Sequence, residues 1–337
     1  MTLASGVGSM PGDDQHALVE AVRLVLGELG EPPGLPFVPE VPGRGAGAAM
    51  TGRALAVVDS LDADLQPAGW RLTGGAGAPG VDHRRARSLL AQDLDALEEA
   101  AQGYTGPFKT QVCGPWTLAA TVERPRGDRV LADHGARREL AQALAEGVRT
   151  HVRDLRRRLP GCDRLVVQLD EPALPAVLAA RVPTASGFGR HRTVEPAVAS
   201  EALGWVLDAV RDEGAEPWVH CCAAGAPLSL LRGAGAHGLA VDLDQLGPAD
   251  HDTLAEALET GGAVALGVVA TAVPGGAAPT AGVLTERVER WLDLTGVDPA
   301  GVGGELVLTP ACGMAGVSTE FARAVLAALR EAAANLG

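Results

Sequence analysis

Short apolar runs alternate with longer amphipathic ones from one end of this 337-residue chain to the other. The apolar runs are Leu3–Gly8, Phe37–Val41, Phe108–Gly114, Leu165–Asp170, Trp218–Cys222, Leu239–Leu243, Val264–Val269 and Leu306–Ala311. Between them lie helical patterns at Asp14–Leu29, His83–Ala101, Ala136–Leu159, Pro196–Asp212, His251–Thr260 and Leu284–Leu294, and a last one at Thr319–Asn335 closes the chain. Strands that read as continuous apolar runs are covered on both faces, and strands joined through helices run parallel. Eight such units predict an α/β fold, a single (β/α)8 TIM barrel over residues 1–337. Glycine-rich stretches at Gly74–Gly80, Gly233–Gly238 and Pro274–Gly282 fall between elements, where loops belong. An extra hairpin is expected around Trp70, Arg71 and Leu72, after the second strand. No shift in composition divides the chain in two.

A hydrophobic share of 47% supplies one large core. The net charge of -14 excludes nucleic acid and anionic membrane as partners, because both would repel this surface. Lys109 is the only lysine, and the most basic run, Arg153–Arg158, lies on a helical pattern as a solvated face. The five cysteines, at 113, 162, 221, 222 and 312, are odd in number and scattered, which makes no disulfide framework and indicates a reducing compartment. The first residues, MTLASGVGSM, have neither the charged nor the apolar region of a signal peptide. No stretch reaches the roughly 18 apolar residues that cross a bilayer. A cytoplasmic protein is the expectation.

In a parallel barrel, chemistry gathers where strands end at their carboxyl side. Strand one ends in Gly8-Ser9, strand two at Glu40, strand three in Cys113-Gly114-Pro115, and strand four supplies Gln168, Asp170 and Glu171. In the fifth, Trp218-Val219-His220-Cys221-Cys222, side chains two apart share a face, so His220 and Cys222 point one way and Cys221 the other. Strand six offers Asp242 and Asp244, again two apart, and strand eight runs into Cys312. Buried cysteines are often small hydrophobes. A set of His220, Cys222 and Cys312 with one acidic oxygen, however, is tetrahedral zinc chemistry, and soft donors prefer Zn²⁺ to Mg²⁺ or Ca²⁺. The rival histidines His237 and His251 sit in loop and helix-start contexts.

On these residues the chain resembles the catalytic half of cobalamin-independent methionine synthase, in the barrel superfamily that also holds uroporphyrinogen decarboxylase. The resemblance runs over nearly the whole chain, as a short single-barrel form. His-x-Cys followed far downstream by Cys-Gly is met by His220, Cys222 and Cys312-Gly313, the DEPAL block by Asp170 to Leu174, and Gly-Ser-x-Pro by Gly8 to Pro11. The resemblance implies zinc on His220, Cys222 and Cys312, with Asp244, or Asp242, in place of the family's glutamate. It implies that Asp170, Glu40 and the backbone around Ser9 grip the amino-acid part of a thiol substrate. Thr121 stands where the family has a tryptophan against the folate ring, with Trp116 nearby but out of register. The family's proton-donating histidine falls near Ala272, and Arg71 matches a folate-tail contact. The implied activity is a zinc-dependent S-methyl transfer to homocysteine, giving methionine, from methyltetrahydrofolate or a methylated corrinoid protein or small molecule. Two other readings are a metal-free lyase resembling uroporphyrinogen decarboxylase, with arginines for several carboxylates, and a zinc-holding barrel without methyltransferase activity.

Overall fold

The computed structural model describes residues 1–337 apart from 75, 76, 78, 272–275, 299 and 300. In chain order the elements are β1 (Leu3–Ala4), α1 (Gln15–Leu29), α2 (Met50–Val57), β2 (Ala63–Gln66), β3 (Gly69–Leu72), α3 (Val81–Ala100), β4 (Gly106–Cys113), α4 (Pro115–Thr121), α5 (His134–Arg158), β5 (Cys162–Asp170), α6 (Leu174–Leu178), α7 (Pro196–Asp212), β6 (Glu216–Cys221), α8 (Leu228–Gly233), β7 (Gly238–Asp242), α9 (Pro248–Glu259), β8 (Ala263–Val269), α10 (Ala281–Thr295), β9 (Leu306–Pro310) and α11 (Thr319–Asn335). Seven strands form one curled parallel sheet in the order β1-β9-β8-β7-β6-β5-β4. The antiparallel pair β2 and β3 is the inserted hairpin, and the Trp70 indole N–H donates to the carbonyl of Ala46 at 3.3 Å. No helix among the described residues is long and apolar enough to cross a membrane.

The expected second strand, Phe37–Val41, makes no ladder. It forms single parallel bridges instead: Ala4 with Gly34 and Ser9 with Glu40 on one side, Phe37 with Lys109 on the other. Pro36, Pro39 and Pro42 explain this, because proline has no N–H and every third ladder donor is missing. Two of the remaining donors are used, Glu40 to Gly8 at 3.0 Å and Val38 to Lys109 at 2.9 Å. Residues 34–40 thus lie between the two edge strands of the sheet.

Strand alternation sorts the buried side chains. Leu165, Val167, Val219, Leu239, Val264, Leu266, Leu306 and Leu308 face outward and join the core under the helices. Val166, Trp218, Ala240, Ala263, Ala265 and Val307 face inward, with Leu35, as a separate cluster. One large ring is accommodated there by small neighbours, since Trp218 pairs in register with Gly238, which pairs with Ala263. A Cβ on Gly238 would lie 2.5 Å from the Trp218 ring. The helices follow the apolar periodicity. α5, for example, buries Leu140, Leu144, Val148 and Leu155 and is capped by Asp133, whose carboxylate accepts from the Ala136 N–H at 2.9 Å. Its basic end is solvated but ion-paired, Arg153 to Glu213 at 2.8 Å and Arg158 to Asp95 at 2.7 Å.

Two outcomes follow from this packing. Gly238→Ala should lower the unfolding free energy in urea by about 1–3 kcal/mol with an unchanged circular dichroism spectrum, because an overfilled layer must shift its indole. An unaltered urea midpoint would show that the layer has slack. On α5, burial, and next the Arg53 charge, pushes the His151 imidazole down to about 4. The unfolded chain protonates it near about 6.5, so its contribution is present above that pH and lost as pH falls toward the folded value, by at most about 3 kcal/mol. The fall in urea midpoint between about pH 7 and about pH 5 should therefore be smaller in His151→Gln than in the wild type.

Candidate metal centre

The centre is assembled where β6 and β9 end. Register sets His220 between Asp170 of β5 and Ala240 of β7, on the inner face. Cys222 follows one residue beyond the strand, while Cys221 faces the other way, where burial pushes its thiol up to about 12. Beyond β9 the chain brings Cys312 back toward the first strand: the Met314 N–H donates to the Ser9 carbonyl at 2.8 Å. Gly313 leaves room for the Ser9 hydroxyl at this approach, since a Cβ there would lie 1.9 Å from the Ser9 Oγ and turn it aside.

His220, Cys222 and Cys312 each present a ligand atom within 4.8 Å of the others. The two sulfurs are 3.3 Å apart. The Cys222 thiol donates to Cys312; this bond, and next the neighbouring His220 ring, pulls Cys312 down toward the thiolate, and the shared proton pushes Cys222 up. His220 is 3% exposed, yet neither of its ring nitrogens has a hydrogen-bond partner. A buried imidazole left unsatisfied costs free energy, and a cation that accepts its lone pair removes that cost at one nitrogen. One imidazole and two cysteines, one already drawn toward thiolate, suit a soft divalent cation.

Asp244 is not brought into this group. The expectation that it shares a face with Asp242 extends strand alternation past the strand's end. β7 stops at Asp242 and the chain turns through a short helix at Leu243–Gln245. The Asp242 Oδ1 accepts from the Asp244 N–H at 3.0 Å, and the Asp244 carboxylate is paired with Arg287. Asp242 keeps the inner-face register with Gly267; burial pushes its carboxyl up, and the charges of Asp244 and Cys312 add to the shift.

The three residues expected to hold an amino acid lie around the same opening. Asp170, beside His220 in register, accepts from the Gln168 Nε2 at 2.7 Å, and burial pushes its carboxyl up to about 6 against the pull of His220. Glu40 accepts from the Gln111 Nε2 at 2.9 Å and lies 3.3 Å from the Arg53 Nε. Ser9 bridges to Glu40 and touches the Cys312 loop as described. Sequence reasoning missed the support of Glu40: Arg53 is also paired with Asp93, which Arg44 grips through two bonds of 2.7 Å. Nothing local in α2 or α3 signals that network. It missed Gln111 as well, although a polar residue two positions from Lys109 and Cys113 in a buried strand was a usable signal.

Glu171 has a different task. It is fully buried and accepts from the Trp116 N–H at 2.8 Å, the Thr117 N–H at 2.8 Å and the Thr117 hydroxyl at 2.7 Å, at the start of α4. Burial pushes it up to about 7 against these bonds. Gly114 is glycine because a Cβ there would lie 2.4 Å from the Glu171 Oε1. Trp116 is a core residue whose indole donates to the Ala199 carbonyl at 3.0 Å, and Thr121 bonds back to the Thr117 carbonyl at 2.8 Å. Arg71 donates to Glu123 at 2.9 Å. His237 pairs with Glu305 at 3.5 Å, and His251 accepts from the Trp291 indole at 3.1 Å, so both are engaged elsewhere. Ala272 lies outside the described residues.

The family model described as the catalytic domain of cobalamin-independent synthase matches residues 98–335. Comparison with curated proteins finds no match. Among solved structures, the chain is similar to a B12-independent methionine synthase from Shewanella sp. W3-18-1 in complex with selenomethionine, with 15% identity, a TM-score of 0.65, and 99% of this chain and 97% of that chain covered. A β-mannanase from the blue mussel Mytilus edulis reaches a TM-score of only 0.44 at 11% identity, over 98% of this chain and 92% of that one. The first likeness is one of fold, and the second supports no inference.

The division of labour between Asp170 and Glu171 is measurable. Glu171→Ala strands two backbone donors and a hydroxyl in the core, and should lower the unfolding free energy by about 3 kcal/mol. Asp170→Asn strands none and should cost less than about 1 kcal/mol. Equal losses in urea titrations would remove the structural role assigned to Glu171.

Proposed function

The matched segment is well over half of the chain, so the protein belongs to the cobalamin-independent synthase family, catalytic domain, and from that premise we propose that it is a zinc-dependent thiol S-methyltransferase with homocysteine as acceptor and methionine as product. The observation that carries the proposal is the grouping of His220, Cys222 and Cys312, with the buried imidazole otherwise unsatisfied. We read residues 34–40 as the remaining place of a (β/α)8 barrel, and residues 1–337 as one such unit. The reduced thiols fit a cytoplasmic setting.

Zinc held by His220, Cys222 and Cys312 would keep a bound substrate thiol deprotonated at neutral pH, which is its nucleophilic form. For the fourth, oxygen ligand, spacing along the chain selects Asp244, whereas inner-face register selects Asp242. Asp244 reaches the centre only by leaving Arg287, so Asp242 is the acid we assign. The substrate sulfur then displaces the donor from its methyl carbon in line. The sulfur–carbon bond forms as the methyl–donor bond breaks, and the electron pair leaves with the donor. Asp170 takes the substrate ammonium, with Glu40, braced by Arg53, beside it at the same cationic end, and the backbone around Ser9 meets the substrate carboxylate. The similar methionine synthase is in complex with selenomethionine, which supports an amino-acid substrate. The donor is methyltetrahydrofolate or a methyl-corrinoid. The buried Trp116 and the helix-bonded Thr121 present no ring for a pterin, which favours the corrinoid.

Purified protein should contain about one zinc per chain. Elemental analysis should find it largely lost in His220→Ala, Cys222→Ser and Cys312→Ser and kept in Cys221→Ser. Loss in Cys221→Ser with retention in Cys222→Ser would mean that the strand register is wrong. Methyl transfer to homocysteine, assayed side by side with methyltetrahydrofolate and methylcobalamin, should proceed with at least one donor. Zinc without transfer would leave the inactive metal-binding barrel, and absence of zinc would favour the lyase.

A further inference from the structure

Lys109, the only lysine of the chain, is 1% exposed in the middle of β4. A buried ammonium is costly unless its donors are used. Both of its hydrogen bonds go to neutral acceptors, the Val7 carbonyl at 2.9 Å and the Gln168 Oε1 at 3.1 Å. The Phe37 ring lies 5.5 Å from its nitrogen. What this cation does depends on the amide it holds.

A glutamine amide has one accepting and one donating end, whereas an ammonium can only donate. Lys109 therefore fixes Oε1 toward itself. Nε2 is then turned to the Val7 carbonyl at 3.0 Å and to the Asp170 Oδ1 at 2.7 Å. The flipped amide would set NH₂ against NH₃⁺, and oxygen against both a carbonyl and a carboxylate. Asp170 is thereby given a donor and held as an acceptor.

The neighbouring carboxylates are already committed. Glu40 lies against Arg53, Asp93 against Arg44 and Arg53, and Glu171 against the start of α4. Asp170 alone among these four touches no cation and no helix start. Its contact is the neutral amide, and among the described residues no protein donor reaches its second oxygen. We propose that Lys109 is a positioning residue: by fixing the Gln168 amide, it holds Asp170 as the acceptor for the ammonium group of the amino-acid thiol. This rests on reading the centre as a site for such a thiol.

The test compares two ligands, homocysteine and 4-mercaptobutanoate, which differ only in the amino group. Their affinities are measured by calorimetric titration with zinc-loaded wild type, Lys109→Met and Gln168→Leu. The wild type should bind homocysteine more tightly. Lys109→Met should weaken homocysteine about 10- to 100-fold, the size of one lost charge-assisted bond, and leave 4-mercaptobutanoate within about twofold. Gln168→Leu removes no charge, so it carries the test if Lys109→Met fails to fold, and it should show the same selective loss. Equal weakening of both ligands, or unchanged homocysteine affinity, overturns the positioning role. A wild type that binds neither thiol overturns the amino-acid-thiol reading itself, and this inference with it.

Discussion

Period-two alternation along a parallel ladder divides every buried strand residue between two faces, and the rest of the molecule depends on that division. The outward set is aliphatic and seats the helices. The inward set is apolar around Trp218, with Gln168 beside that ring, and polar toward the strand ends, where Asp170 and His220 stand in register. The same rule that packs an indole against Gly238 carries an imidazole to the opening two residues later. Stability and chemistry are thus successive levels of one interior.

The polar level is held by matching donors to acceptors rather than by charge pairs alone. Glu171 satisfies a helix start, Glu40 and Asp93 share Arg53, and Lys109 acts through an amide. Groups buried this deeply are costly unless satisfied, so each of these contacts restricts its neighbours. The imidazole of His220 differs from these in that neither of its nitrogens finds a partner among the described residues. That ring, beside two cysteines, is the place in this interior suited to a bound group.

Two stretches about ninety residues apart must meet for the soft donors to converge, and the meeting is fixed by small details. Gly313 leaves room for the Ser9 hydroxyl, and the Ser9 carbonyl ties the loop through the Met314 N–H. Cys312 is positioned by the first strand's end as much as by its own strand.

The sequence by itself determined the parallel α/β pattern, the hairpin around Trp70, and the common face of His220 and Cys222 with Cys221 turned away. Each of these follows from local periodicity, which a chain carries wherever it folds. The prolines at 36, 39 and 42 were legible too, and they are why residues 34–40 bridge without forming a ladder. Only the tertiary structure decided that Asp244 leaves the strand face for Arg287, that Arg53 and Asp93 brace Glu40, and that Lys109 reaches Asp170 through Gln168. The physical reason is that alternation says which way a side chain points while the strand lasts. Where a strand stops, and what meets it from residues far away, is set by register and by the pairing of buried polar groups, and neither is written in any one stretch of chain.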